Sequence, residues 1–291
     1  MPTKNRKIEV HRLTISGLPA GTGYAAFLSQ IRESIVGLKD CCWDHGGKTH
    51  GLHEAKVLNH RLRLLAFSFQ EGHRPDVLDT EQFSIEPTPL AETQTGIEWT
   101  HILGGLVGKR FLLLVEKVQS GIHPSTLEHY LQWLIDEHYV VPVNTADQDP
   151  ITVSLEAEPG NEFITRMDAL DRITKATVRT VRPNPGWHDL EKELGEEAAE
   201  SDAHKTDVQM TARRNESLSK RKGIVAAIRN LFSSKSLGFA AVEGKRGKET
   251  DSFTTEKLGR HATLSFPLDA QGQVRHHDAW HKLGEMLDKQ D

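Results

Sequence analysis

Both cysteines of the chain and three of its 16 histidines fall in one stretch, Cys41–His53, which reads CCWDHGGKTHGLH. Tetrahedral zinc takes nitrogen, sulfur or oxygen ligands, usually presented as pairs separated by about two to four residues. Cys42 with His45 and His50 with His53 are two such pairs, and Gly46 and Gly47 between them would let a loop close around an ion. The order C-x2-H-x4-H-x2-H matches no zinc module of known spacing, and thiols and imidazoles are common in loops without metal. The stretch is therefore a zinc site or a polar loop. A second group, RHHDAWH, sets His277 and His281 four apart, on one face of a helix. They would hold a metal jointly or simply lie on a surface helix; no glutamate stands between them as in the HExxH metalloprotease motif.

The next arrangement is FAAVEGK, where Glu243 and Lys245 are two apart at the end of an apolar strand and so point to the same side. The pair resembles the E-x-K of PD-(D/E)xK nucleases, in which it binds a divalent ion such as magnesium and orients the attacking water. A second carboxylate must help to hold that ion while it bridges the scissile phosphate. Asp189 is the one tempting partner, but it follows Pro185 and Gly186 rather than a strand. GGLVGKR at 104–110 is not a phosphate-binding P-loop: three residues separate Gly104 from Gly108, and Arg110 rather than Ser or Thr follows Lys109. No nucleophile elbow, dinucleotide fingerprint or kinase set is present.

Charge is more informative than its total of −5. Asp189 to Asp202 holds seven acidic residues and one lysine, whereas His204 to Lys248 holds eleven Lys or Arg against three acids. Within the basic half, Arg213, Arg214, Lys220, Arg221, Lys222 and Arg229 fall in what reads as one helical region, and Lys245, Arg246 and Lys248 in the turn that follows. Helical spacing puts residues 214, 221 and 229 near one face. Such a surface gives sequence-independent, salt-sensitive affinity for DNA or RNA phosphates. The competing reading has the acidic segment neutralise it internally. No pattern for base readout is present.

These residues need a scaffold. At 291 residues, with 37% hydrophobic and 26% charged, the chain has ample apolar surface for a folded core. No apolar run is long enough to span a membrane, so no membrane partner is expected. The opening MPTKNRKIEV has no apolar signal core, and two adjacent cysteines staple nothing, which together lead to a cytoplasmic expectation. Strand patterns cover Ile8 to Ile15 (with a phase slip in the middle), Leu62 to Phe69, Phe83 to Ile85, Phe111 to Val115, Ile151 to Leu155 and Ile173 to Val181. Tyr24 to Leu38 has a helical stripe, and Ser125–Glu128 has capping-box spacing ahead of Leu127, Tyr130, Leu131, Leu134 and Ile135. A short helix is expected at 162–170 and a long charged helical region at 188–232. A strand, a basic glycine turn and a returning strand come next, then a strand at HATLSFPL and a terminal helix over 278–287. The expected fold is α+β, a mainly antiparallel sheet flanked by helices, in two lobes of residues 1–143 and 151–291 divided at NTADQDP.

Two stretches, RFLLLVEKVQSGIHPSTLEHYL and GFAAVEGKRGKETDSFTTEKLG, resemble uncharacterised bacterial proteins carried near phage-defence and mobile-element genes. The resemblance is one of pattern: a buried strand, a glycine and a capped helix, then a glycine-rich hairpin. It implies a role in bacterial antiviral defence beside a protein partner from the same system, and it carries over no functional residue. Two functions remain open. The chain is a nucleic-acid-binding or sensor module acting through its basic segment, or a metal-dependent hydrolase acting through Glu243 and Lys245 or the Cys42, His45, His50, His53 cluster.

Overall fold

A computed structural model of the chain describes residues 2–19, 21–71, 77–79, 84–86, 91, 94–139, 150–181 and 205–290. The fold is α+β with antiparallel sheets, as the alternating strand patterns predict. Two compact units share the chain: Met1–Ile8, Pro19–Ala146 and Thr263–Asp291 form the first, Glu9–Leu18 and Asp147–Ala262 the second. One division between the units, Ala146 to Asp147, falls within NTADQDP, and each unit also takes a piece of the other half of the chain. The physical reason is β1 (Thr3–Ser16), in which Val10 and His11 are both buried. Strand alternation would bury only one of two neighbours, so this is the expected phase slip, and it lies just past the division at Ile8 and Glu9.

The first unit is built on the strand order β14-β1-β8-β7-β4-β3-β2, comprising β2 (Cys42–His45), β3 (Lys48–Leu58), β4 (Arg61–Phe69), β7 (Glu98–Val107), β8 (Arg110–Lys117) and β14 (His261–Pro267). Two short strands, β5 (Val77–Asp79) and β6 (Ser84–Glu86), pair with each other. The glycines of GGLVGKR make the β7–β8 hairpin, with Gly108 in the left-handed region at φ 59° between the paired Val107 and Arg110. α1 (Tyr24–Ser34) and α2 (Pro124–His138) lie on one face: Ser29 Oγ donates to the Ala55 carbonyl at 3.1 Å, and Tyr130 buries against the Cys41 carbonyl. α2 carries its predicted stripe, but its N-cap is His123 without a side-chain bond, and Pro124 opens the helix instead of the Ser125–Glu128 box.

The opposite face of the first sheet takes the terminal helix, His276–Asp288. Two close approaches let it lie flat: a Cβ on Gly105 would stand 2.7 Å from Leu287 Cδ2, and one on Gly284 would stand 2.6 Å from an Arg61 guanidinium nitrogen. Along β7, Thr100 therefore faces the α2 side, where it accepts from the Ile122 amide, while His101 faces the terminal helix.

In the second unit the C-terminal half of β1 pairs with β9 (Thr152–Ala157), and a separate sheet runs β11-β10-β12-β13. Its strands are β10 (Arg172–Val181), β11 (Lys205–Thr211), β12 (Ala240–Arg246) and β13 (Glu249–Thr254). α3 (Asn161–Asp168) and α4 (Gly223–Ser233) cover one face, burying Phe163, Met167, Ile224 and Ile228 against Ala176, Val178, Val242 and Phe253. The terminal helix of the first unit is then α5.

The long helical region is corrected here. Residues 205–211 are a strand, because Val208 and Met210 alternate with polar neighbours and pair with Val178 and Ala176 of β10. Helix begins only at Gly223, after Asn215 and Gly223 have turned the chain at φ 65° and 64°. Residues 182–204, with the acidic run and Asp189, lie outside the described residues, as do 144–149 of the expected boundary.

Candidate nucleic-acid interface

Of the six basic positions expected on one helical region, five lie in the loop from β11 to α4 and only Arg229 on α4; that loop and the β12–β13 turn, with the other three, are both bonded to the start of β10. The Asp171 amide donates to the Lys245 carbonyl at 2.8 Å, and the Gly247 amide donates to Asp171 Oδ2 at 2.6 Å. On the other side of β10, the Ala212 amide donates to the Thr174 carbonyl, the Leu218 amide to the Ile173 carbonyl and the Ile173 amide to Ser217 Oγ. The tip of the β12–β13 hairpin and the loop from β11 to α4 are thus pinned to opposite sides of residues 171–174. Arg213, Arg214, Arg221, Lys222, Lys245, Arg246 and Lys248 are all exposed, and none of them forms an ion pair among the described residues.

Lys220 and Arg229 have structural work instead. Lys220 Nζ donates to the Asp168 and Leu170 carbonyls at the end of α3, where a helix leaves acceptors unmet, and Arg229 pairs with the Asp168 carboxylate. Glu243 and Lys245 do share a face of β12, away from the apolar core that takes Val242. Directly across from Glu243 stand Lys175 and Ser252, so its strand neighbours include no second carboxylate for a metal. Asp251, one position along, faces the other way and is gripped at both oxygens by Arg166, which holds its carboxyl below the usual range.

The Cys/His stretch is a β-hairpin. Gly46 and Gly47, at φ 61° and 77°, form its two-residue turn, and Cys42 pairs with Gly51, Trp43 with His50 and His45 with Lys48. Alternation then divides the four ligand candidates. Trp43, His45 and His50 share the α2 side, where Trp43 stacks on His45 at 4.5 Å and packs toward Trp133. Cys42 lies on the reverse side, and His53 packs at a steep angle against Trp99. His50 is buried with Nδ1 2.8 Å from Ser68 Oγ. Burial, aided by Lys48, His45 and His123, lowers its pKa to about 4, and burial pushes the Cys42 thiol up to about 11. Among the described residues no group of three or more His, Cys, Asp or Glu is arranged to hold a metal. His277 and His281 lie exposed on α5, each beside an acid of its own helix, Asp278 and Glu285.

Sequence reasoning missed a different set. Glu116, His101 and His276 form a hydrogen-bonded row, with His101 Nδ1 2.6 Å from Glu116 Oε2 and His101 Nε2 2.8 Å from His276 Nδ1. The sequence singles out only what lies beside it: His277, by its spacing to His281, and the apolar run Phe111–Val115 that ends next to Glu116.

Residues 111–267 match a family model described as a domain of unknown function, DUF4747. That is more than half of the chain. It belongs to the DUF4747 family. No curated protein matches it. The DUF4747 segment contains all nine basic positions, Glu243 and Glu116, and it excludes the Cys42–His53 hairpin, His101 and His276. Among the described residues no helix is long and apolar enough to cross a membrane.

Proposed function

We propose that this DUF4747 protein binds a nucleic-acid backbone, DNA or RNA, at the basic end of its four-stranded sheet. One observation carries the reading: seven exposed cations without ion-pair partners among the described residues, drawn from two segments bonded to residues 171–174 at the start of β10. Lys and Arg placed this way neutralise phosphates and release counterions, which gives affinity without sequence preference. Arg213, Arg214, Arg221, Lys222, Lys245, Arg246 and Lys248 make the contacts; Lys220 and Arg229 hold α3 and α4 in place behind them. A sensor role in phage defence, beside a partner protein in the cytoplasm, rests on the two resembling stretches alone.

The test is equilibrium binding of labelled duplex DNA and RNA to the full chain over a salt series, in EDTA and then with magnesium or zinc. Affinity should fall steeply with salt whatever the metal, and the double variant Lys245→Glu/Arg246→Glu should lower the slope of log K against log salt by about two. Undiminished affinity in that variant, with its melting temperature unchanged, would overturn the assignment.

A further inference from the structure

The Glu116–His101–His276 row runs from a carboxylate of 1% exposure to an imidazole at the surface. Its proton positions follow from the buried end. Glu116 Oε1 stands 3.1 Å from Arg6 Nε, close enough for an ion pair though off-line for a hydrogen bond, and Oε2 takes the His101 backbone amide at 3.2 Å. A charge-paired carboxylate only accepts, so His101 donates its Nδ1–H and is left with a bare Nε2. With the His101 ring neutral, His276 donates Nδ1–H across the 2.8 Å contact, which leaves one lone pair at the end of the row, on His276 Nε2.

His276 opens α5, where the chain emerges into solvent. The groups around it are His101 and Trp99 of β7, His53 and Glu54 of β3, Asp269, and Arg275, His277 and Asp278 of its own first turn. Burial, then His101 and His53, hold it below the ordinary histidine range against the opposing pull of Glu54 and Asp269. The free ring is neutral at pH 7. Protonating Nε2 disturbs no hydrogen bond in the row, because the imidazolium still donates through Nδ1 while Glu116 stands behind His101 to stabilise the added charge. A neutral imidazole with an exposed nitrogen and a buried carboxylate behind it meets the requirements of a general base.

We propose that His276 Nε2 is a general base that takes the proton of the 2′-hydroxyl of RNA, with His101 and Glu116 as positioning residues. The choice of substrate rests on the nucleic-acid reading above, since of the two backbones only RNA carries a hydroxyl beside its phosphate. The 2′-oxygen bonds to phosphorus as its proton passes to His276, the bond from phosphorus to the 5′-oxygen breaks, and that oxygen takes a proton from water. The products are a 2′,3′-cyclic phosphate and a 5′-hydroxyl end, no electrons are transferred, and His276 returns its proton to solvent. Trp99, half-buried and steeply inclined to both His276 and His53 with ring centroids 5.5 Å away, offers an aromatic surface for the base.

The test uses the full chain in EDTA with uridine 3′-(4-nitrophenyl phosphate), a substrate too small to need the basic surface, and with its 2′-deoxy analogue. Nitrophenolate release should rise with pH about a midpoint below 6.5, the ordinary histidine value. It should fall about a hundredfold or more in His276→Ala and be absent for the deoxy analogue. Glu116→Gln should move the midpoint further down, a shift that mere loss of fold would not produce. Release no faster than in buffer, an unchanged rate in a folded His276→Ala, or equal consumption of the deoxy analogue would each overturn the proposal. Nitrophenolate release and duplex binding are read separately on the same wild-type chain, so loss of one without the other shows which of the two readings has failed.

Discussion

The Cys42–His53 hairpin and the Glu116–His101–His276 row are opposites in how sequence relates to space. In the hairpin, four ligand-type residues stand within twelve positions, and strand alternation with a two-glycine turn sends them to different sides. In the row, residues at 101, 116 and 276 converge because β7 and β8 pair and α5 lies against the face that His101 presents. Proximity along a strand disperses side chains; register between strands gathers them. Density of chemical residue types in a short stretch is therefore weak evidence for a site when that stretch is extended.

The comparison breaks most visibly at Glu116. Glu116→Ala strips the buried carboxylate from Arg6 and His101 together and leaves a guanidinium without its counter-charge. Such a loss costs about 3–5 kcal/mol. Urea unfolding should show the midpoint dropping with an unchanged m-value. A change below about 1 kcal/mol would mean that the inner end of the row is hydrated rather than sealed.

Much of the fold was legible in advance for a related reason. Where one residue's burial decides the structure, the period tells: β8 follows from its unbroken Phe111–Val115 run, and α2 from a stripe at 127, 130, 131, 134 and 135. The strand at 205–211 was not legible, because two alternating apolar residues, Val208 and Met210, inside a charged region give a weak period-two signal beside the true helix at 223–233. The basic end was legible in composition and misread in geometry. Its residues are brought together by backbone bonds to residues 171–174, which no spacing of cations encodes. Glu116 and His101 could be sought only as polar residues at the end of otherwise apolar strands, and His276 gave no signal without α5 in place.

Within the hairpin, His50 should show an effect of intermediate size. Unfolded, it takes up its proton near pH 6.5; folded, buried against Ser68, it does so near pH 4. Between those values the unfolded chain binds more protons, so this contribution is complete above pH 6.5 and is lost as pH falls toward 4. The limit is on the order of 3 kcal/mol. His50→Gln should flatten the dependence of urea stability on pH across that window. A slope equal to that of the wild type would show that other groups govern acid lability.

The smallest effect belongs to the pair that first looks most like chemistry. A zinc ion held by the hairpin would stabilise the fold by about 2.7 kcal/mol at a hundred times its dissociation constant. To bind, it would have to remove a proton from Cys42, whose thiol burial has pushed up to about 11, and then reach His45 on the other side of the strand. Cys42→Ser/His45→Ala should therefore change urea stability by only about 1 kcal/mol, since Cys42 is half-buried and His45 exposed. Its melting temperature should respond to zinc as the wild type's does. A zinc-dependent rise that the double variant abolishes would show the hairpin able to open its alternation around an ion, and density in sequence would regain its value as a guide.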